Sequence, residues 1–139
     1  MRPACRRAAK NLVGCCDMKS ALRVLVVEDH LPTLQALCIC LADYGHQVIP
    51  VASMSAAMNV ARNTTFDALV CDIALPDGDG WQLLARLREK RPVPAVAISG
   101  LTGAREKRHS FEAGFDQYLE KPFSPAALAT AISNAAGDC

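Results

Sequence analysis

Short apolar runs alternate with longer stretches of helical spacing from Leu22 onward. Five runs have the length and composition of strands, namely residues 23–27, 47–51, 68–71, 95–98 and 117–120. Between and after them, apolar positions recur at helical spacing, and five helices are predicted at residues 31–44, after Ser53, at about 80–90, at 103–113 and from Ser124–Pro125 to near Gly137. The pattern therefore predicts five strand–helix units.

This alternation predicts an α/β fold with a parallel sheet that helices cover on both faces. The run at residues 68–71 (ALVC) is apolar throughout, which is typical of a strand buried on both faces. Pro50 cannot donate to a central ladder, so the second strand is expected at an edge of the sheet. Ser53 and Ser124 are the residues expected to cap their helices.

The composition fits one globular domain. The chain has 139 residues, of which 51% are hydrophobic and 21% charged, enough to bury a core. Its net charge of +1 gives no general reason to expect nucleic acid or an anionic membrane as a partner. No apolar run approaches the roughly 18 residues that a membrane span requires.

The seven cysteines are irregularly spaced and form no C-x-x-C pair, so a zinc site is poorly supported. Cys71 ends an apolar run and is expected to be a small buried side chain. Such cysteine usage is typical of a reducing cytoplasm. Residues 1–20 carry cations but lack the apolar stretch of a signal peptide, so we expect a flexible leader there and a folded domain at 21–139.

Chemically active side chains follow four of the five strands. Glu28 and Asp29 come after the first strand, Asp72 after the third, Ser99 after the fourth and Lys121 after the fifth. Ligands of open α/β sheets bind at the carboxyl ends of the strands. We therefore expect these five side chains to converge at one end of the sheet.

Such a cluster suits phosphoryl chemistry. Neighbouring carboxylates repel one another and favour a cation, and an all-oxygen set suits Mg²⁺. A lysine and a serine hydroxyl can bind phosphoryl oxygens, and an aspartate can form an acyl phosphate. A calcium loop is excluded, because Asp77 and Asp79 as its third and fifth positions would place Leu75 first and Arg86 twelfth. Asp77 and Asp79 are instead expected in a loop and at a helix start.

Four motifs, in this order, resemble the response regulator receiver domain of two-component signalling. They are VVEDH from Val26, DIALPDG from Asp72, Ser99-Gly100 and YLEKPF from Tyr118. The resemblance covers roughly residues 22–136 and is greatest to receivers attached to hybrid histidine kinases. It implies a flavodoxin-like doubly wound fold, a five-stranded parallel sheet of order 2-1-3-4-5 with five helices.

The resemblance also implies roles for the acidic residues. Asp72 corresponds to the phosphoacceptor of the family. Glu28 and Asp29 correspond to the acidic pair that holds Mg²⁺, with Asp72 and the backbone carbonyl of Ala74 completing the protein ligands.

The remaining roles implied by the resemblance concern the phosphoryl group and the switch. Lys121 corresponds to the lysine that pairs with the phosphoryl group, and the peptide bond to Pro122 is expected to be cis. Ser99 stands where the family has threonine or serine, and Tyr118 matches its aromatic switch residue.

The predicted function is that of a phosphorelay receiver. A histidine kinase or a histidine phosphotransfer protein would donate a phosphoryl group to Asp72, and the face of the fourth helix, fifth strand and fifth helix would change. Such a protein is cytoplasmic and is not a conventional turnover enzyme; whether it belongs to a hybrid kinase is left open. Two alternatives are an aspartyl-phosphate hydrolase, which expects a second acid where Ala74 stands, and an interaction module that never receives phosphate.

Three further side chains have simpler interpretations. His30 and His46 are expected in surface loops rather than in phosphotransfer. Trp81 opens a helix and is expected to serve packing.

Overall fold

The computed structural model describes residues 21–100 and 103–137, so the predicted leader at residues 1–20 lies outside the described part. The strands are β1 Arg23–Val27, β2 Gln47–Val51, β3 Ala68–Asp72, β4 Ala74–Leu75, β5 Gly78–Asp79, β6 Ala95–Ser99 and β7 Gln117–Glu120. The helices are α1 Leu31–Asp43, α2 Met54–Asn63, α3 Gly80–Arg88, α4 Ala104–Glu112 and α5 Pro125–Ala135. The strand–helix alternation predicted from the sequence is confirmed.

Five strands form a parallel sheet in the order β2-β1-β3-β6-β7. Counted along the sheet-forming strands alone, this is the predicted flavodoxin-like order 2-1-3-4-5. β2, which contains Pro50, lies at an edge as expected. β3 lies at the centre and is buried along its whole length. Asp72 ends β3 and Ser99 ends β6, so both residues belong to strands rather than to the loops that follow.

The core consists of two layers, one on each face of the sheet. Alternate residues of β1 enter opposite layers, because successive side chains of a strand point to opposite faces. Leu25 and Val27 pack with the layer that α2 and α3 cover, and Val24 and Val26 pack with the layer under α1 and α5. Because helices cover both faces of the sheet, the ends of its strands are left accessible.

Helix starts follow the sequence closely. The side chains of Ser53, Asp79 and Ser124 accept hydrogen bonds from backbone N–H groups in the first turns of α2, α3 and α5. Each cap of this type stabilises the fold by about 1 kcal/mol. The predicted caps at Ser53 and Ser124 are confirmed, and so is the position of Asp79 at a helix start. Within the described residues, no helix is long and apolar enough to cross a membrane.

The burial of His46 differs from its prediction. His46, expected in a surface loop, is buried, with 8% of its surface exposed. Its Nδ1 accepts a hydrogen bond of 3.1 Å from the backbone N–H of Leu22. Because β1 and β2 pair in parallel, Leu22 and His46, which precede these strands, lie side by side, and the ring of His46 is buried.

Candidate functional site

Three carboxylates meet at the carboxyl end of the sheet. Glu28 and Asp29 follow β1, and Asp72 ends the adjacent strand β3. One oxygen from each carboxylate lies within 4.8 Å of the other two. Glu28 and Asp72 are buried, whereas Asp29 is exposed. The predicted convergence of these acids is confirmed, and the exposed member opens the cluster to solvent.

Glu28 is the most enclosed of the three, with 1% of its surface exposed. Its Oε2 accepts a hydrogen bond of 3.1 Å from the backbone N–H of His30. Its Oε1 lies 2.8 Å from Nζ of Lys121 but makes no hydrogen bond of good geometry with any described residue. Burial raises the pKa of Glu28, and the contact with Lys121 opposes that effect. The ion pair with Lys121 thus partly offsets the cost of burying this carboxylate.

Lys121 supplies the positive charge of the cluster. Its Nζ donates a hydrogen bond of 2.8 Å to Oδ2 of Asp72 and forms an ion pair with Glu28. Its backbone N–H donates to the carbonyl of Ser99 at 2.8 Å, which fixes the start of the loop after β7. Burial lowers the pKa of Lys121, but the contacts with Asp72 and Glu28 outweigh burial and raise it. The predicted cis peptide between Lys121 and Pro122 is confirmed.

The chain beyond Asp72 turns tightly over its carboxylate. Oδ1 of Asp72 accepts a hydrogen bond of 3.1 Å from the backbone N–H of Ala74. The N–H of Gly80 donates to the carbonyl of Ile73 at 2.8 Å. A Cβ at Gly80 would lie 2.8 Å from the carbonyl oxygen of Asp72, so this approach requires glycine. The backbone of Ala74 is thereby placed at the acid cluster.

Ser99 and Tyr118 lie on neighbouring strands beside the cluster. Ser99 ends β6 and is buried, with 1% of its surface exposed. Tyr118 lies opposite Ala97 in the pairing of β6 with β7 and is half-buried against the core layer of α2 and α3. Gly100 leaves space above the site, since within the described part of the chain a Cβ there would meet only Cδ of Lys121, at 3.9 Å. These positions are compatible with the switch roles that the resemblance implies for Ser99 and Tyr118, which remain a prediction.

The arrangement suits a hard divalent cation. The donors are carboxylate oxygens, one of them from a residue open to solvent, and Mg²⁺ takes few carboxylates and retains several waters. Oε1 of Glu28, which lies 2.8 Å from Nζ of Lys121, offers a further acceptor, either directly or through a water molecule. Three carboxylates and one ammonium group also give the cluster a net negative charge, which favours binding of a cation. The residues present therefore fit Mg²⁺.

Sequence reasoning missed a contact of the loop between Asp72 and α3. This loop contains a small antiparallel hairpin, β4–β5, in which Ala74 pairs with Asp79 and Leu75 with Gly78. Asp77 at its tip accepts hydrogen bonds from the first turn of α2. Pro76 and Asp77 form the turn between the paired residues Leu75 and Gly78, and both residue types favour turns, but nothing local to the sequence indicates which helix Asp77 contacts.

The Trp81 side chain packs against α4, as expected. Its Nε1 donates a hydrogen bond of 3.0 Å to Oγ of Ser110, and its ring lies against that of His109 with centroids 3.9 Å apart. These contacts join α3 to α4. His30 is exposed and its Nδ1 lies 2.7 Å from the hydroxyl of Thr33, as expected for a surface position.

The fold and the acid cluster define a class of protein, the flavodoxin-like α/β domain with a carboxylate site at the carboxyl end of its sheet, and comparison with known proteins gives the family. The sequence profile of the response regulator receiver domain matches residues 24–133. The chain belongs to the response regulator receiver domain family of two-component signalling. Members of this family are phosphoacceptor switches that bind Mg²⁺ through an acidic cluster and interact with histidine kinases or phosphotransfer proteins.

Relatives include parts of longer proteins. The sensor histidine kinase GacS of Pseudomonas protegens is 33% identical over 94% of this chain, which spans 16% of that protein. The phosphate regulon transcriptional regulatory protein PhoB of Escherichia coli is 31% identical over 81% of the chain and 50% of its own length. The chain thus spans about half or less of these relatives.

Solved structures agree with the fold. A putative response regulator from Chloroflexus aurantiacus is 30% identical, with a TM-score of 0.79 over 85% of this chain and 99% of its own. A CheY-like receiver domain protein from Methanospirillum hungatei is 28% identical, with a TM-score of 0.78 over 86% of this chain and 96% of its own. Coverage of nearly all of each structure indicates that the described residues form a receiver domain.

Proposed function

We propose that this chain accepts a phosphoryl group on Asp72 from a phosphohistidine of a histidine kinase or a histidine phosphotransfer protein, in a Mg²⁺-dependent reaction in the cytoplasm. The observation that carries the proposal is the carboxylate of Asp72, held at the end of the central strand between Lys121 and two further acids. Family membership supports it, because receiver domains are phosphoacceptor switches.

The transfer exchanges one bond to phosphorus for another. A carboxylate oxygen of Asp72 attacks phosphorus, the N–P bond of the donor histidine breaks, and the imidazole leaves with the electron pair. Lys121, already 2.8 Å from Oδ2 of Asp72, would bind the incoming phosphoryl oxygens. Ser99 would donate its hydroxyl hydrogen to another of these oxygens.

We assign the metal ligands to Asp29, Asp72 and the backbone carbonyl of Ala74, with Glu28 acting through water. Bound Mg²⁺ would supply positive charge beside the carboxylates and the phosphoryl group. Lys121 supplies positive charge on its own side of Asp72, so negative charge is balanced from two directions.

Phosphorylation would then act on the face built by α4, β7 and α5. A phosphoryl group adds negative charge and strong acceptor oxygens at the carboxyl end of β3. Ser99, at the end of the adjacent strand, would move toward these oxygens, and Tyr118 on β7 would change its rotamer. A partner protein would read the altered face.

The test is covalent labelling by acetyl phosphate, with and without Mg²⁺. Wild type should gain a hydroxylamine-sensitive phosphoryl group only when Mg²⁺ is present, as measured by intact mass. Asp72→Asn should gain none, whereas Asp43→Asn, which changes an exposed carboxylate at the end of α1, should behave as wild type. Full labelling of Asp72→Asn would show that the acceptor lies elsewhere. A wild type that is never labelled would indicate an interaction module.

A further inference from the structure

We infer that Asp77 is a positioning residue for the Mg²⁺ site: it fastens the β4–β5 hairpin to the start of α2 and so fixes Ala74 beside Asp72. This inference rests on the proposed function, because it concerns the same metal site. Asp77 itself does not belong to the carboxylate cluster formed by Glu28, Asp29 and Asp72.

The contact between Asp77 and α2 is bidentate. Oδ1 accepts a hydrogen bond of 2.8 Å from the backbone N–H of Met54, and Oδ2 accepts one of 2.9 Å from that of Ser55. These are the first two residues of α2, whose N–H groups have no partner within the helix. The two bonds lower the pKa of Asp77, because they stabilise its charged form. Asp77 thus acts as a cap supplied from a distant part of the chain.

The adjacent glycine brings the hairpin still closer to α2. A Cβ at Gly78 would lie 2.8 Å from Cε and 2.9 Å from Sδ of Met54. Met54 is buried in the core, so it offers the hairpin a fixed surface. Backbone bonds from Asp77 and close packing at Gly78 therefore act at the same point of the hairpin.

The hairpin needs such an anchor because it is small. β4 and β5 have two residues each, and a two-stranded hairpin of this size is marginal without outside contacts. Its other end carries Ala74, whose N–H binds Oδ1 of Asp72 and whose carbonyl we assign to the metal. Release of the tip would leave Ala74 free to move, and affinity for Mg²⁺ depends on near-ideal ligand geometry.

The structure offers a matched control on the same helix. Oγ of Ser53 accepts a hydrogen bond of 3.1 Å from the N–H of Ala56, so Ser53 also caps α2, but within the described residues its side chain hydrogen-bonds to α2 and not to the hairpin. Asp77→Ala and Ser53→Ala should therefore both lower the melting temperature. Only Asp77→Ala should weaken Mg²⁺ binding, by about 3- to 10-fold, near the lower limit for residues that support metal ligands.

The experiment measures Mg²⁺ binding by calorimetry and labelling by acetyl phosphate as a function of Mg²⁺ concentration. Asp77→Ala should shift half-saturation to higher Mg²⁺ while the rate at saturating Mg²⁺ approaches that of wild type. Asp77→Asn retains an oxygen for one of the two N–H groups, so its Mg²⁺ affinity should lie between those of wild type and Asp77→Ala. This variant also provides a test if Asp77→Ala is too unstable to measure. The measurements are made at about 0.15 M salt, which screens the long-range effect of removing a surface charge.

Two results would overturn the inference. Equal Mg²⁺ affinity of Asp77→Ala and wild type would show that the hairpin needs no anchor. An equal loss in Ser53→Ala would show that only the stability of α2 matters. Both differ from failure of the proposed function, in which wild type itself would bind no Mg²⁺ and accept no phosphoryl group.

Discussion

Nζ of Lys121 lies 2.8 Å from Oδ2 of Asp72, so the residue proposed to receive the phosphoryl group is already paired with a cation before any phosphoryl group arrives. The same ammonium group lies 2.8 Å from Oε1 of Glu28. Lys121 therefore separates two buried carboxylates that would otherwise repel each other. Mg²⁺ at this site would compete with Lys121 for the same negative charge.

Replacement of this lysine should separate its structural role from its role in phosphoryl transfer. Lys121→Gln leaves Glu28 and Asp72 without a cation, so the metal-free domain should lose about 2 kcal/mol of stability, less than for a fully buried pair because Lys121 is partly exposed. Mg²⁺ should bind at least as tightly as in wild type, since a competing charge is gone. Denaturation with and without Mg²⁺ and calorimetry would measure both effects.

Labelling by acetyl phosphate should nevertheless be slower in Lys121→Gln, even at saturating Mg²⁺. Lys121→Arg, which keeps the charge on a differently shaped side chain, serves as the comparison and should preserve more of the stability than of the labelling rate. Weaker Mg²⁺ binding in Lys121→Gln would show that the lysine organises the site rather than competing with the metal.

Asp29 should contribute most directly to Mg²⁺ binding, because it is the solvent-exposed member of the cluster. Asp29→Asn should lower the Mg²⁺ affinity by about 10-fold or more, because it removes a negative charge and alters the arrangement of the ligands. Fluorescence of Trp81, the single tryptophan of the chain, offers a readout, with calorimetry as the check. Unchanged affinity would remove Asp29 from the set of ligands, and Asp43→Asn controls for general charge.

Much of this fold follows from local patterns in the sequence. The five long strands, the edge position of β2 and the caps at Ser53 and Ser124 each depend on residues close together in the chain. Chemically active residues after strands converge because parallel strands end on one side of the sheet. For this reason the acid cluster and Lys121 could be predicted from the sequence alone, although the strand order came from the family resemblance.

The features that escaped prediction depend on contacts distant in sequence. Asp77 is separated from Met54 by 23 positions, and no pattern around either residue indicates their hydrogen bond. His46 accepts from Leu22, 24 positions away, so its burial appears only when β1 and β2 are side by side. In both cases a polar side chain satisfies a backbone N–H group that secondary structure leaves unpaired.

The buried ring of His46 should make the stability of the domain depend on pH. Burial lowers the pKa of His46 below its ordinary value of 6.5, and the protonated ring could not accept the N–H of Leu22. The unfolded chain then binds more protons than the folded one as the pH falls below 6.5, so the contribution is present above that pH and is lost on acidification. Urea denaturation between about pH 7.5 and 5.5 would measure the slope.

His46→Asn is the matched variant, because its side-chain oxygen can accept the same N–H without titrating. Its stability should fall less steeply with acidification than that of wild type over this range. Parallel slopes for the two proteins would show that His46 takes up protons equally in the folded and unfolded states, so that folding does not lower its pKa.

The route by which phosphorylation reaches the surface can be tested at two neighbouring strands. Ser99 pairs with Glu120 and Ala97 with Tyr118 in the register of β6 with β7. The backbone N–H of Lys121 binds the carbonyl of Ser99 at 2.8 Å, which ties the end of β7 to that of β6. A movement of Ser99 toward a phosphoryl group would therefore be felt along β7.

Ser99→Ala should still allow Asp72 to be phosphorylated, but it should uncouple that event from Tyr118. A phosphoryl group on Asp72 would attract the Ser99 hydroxyl in wild type, and the movement of Ser99 would give the half-buried Tyr118 ring space to turn further inward. The ring signals of Tyr118 in NMR spectra, recorded with Mg²⁺ and with or without beryllofluoride as a phosphoryl mimic, should shift in wild type and not in the variant. Ser99→Thr keeps the hydroxyl and should retain the shift. If the Tyr118 signals move equally in wild type and Ser99→Ala, or do not move in wild type, Ser99 does not transmit the signal to Tyr118.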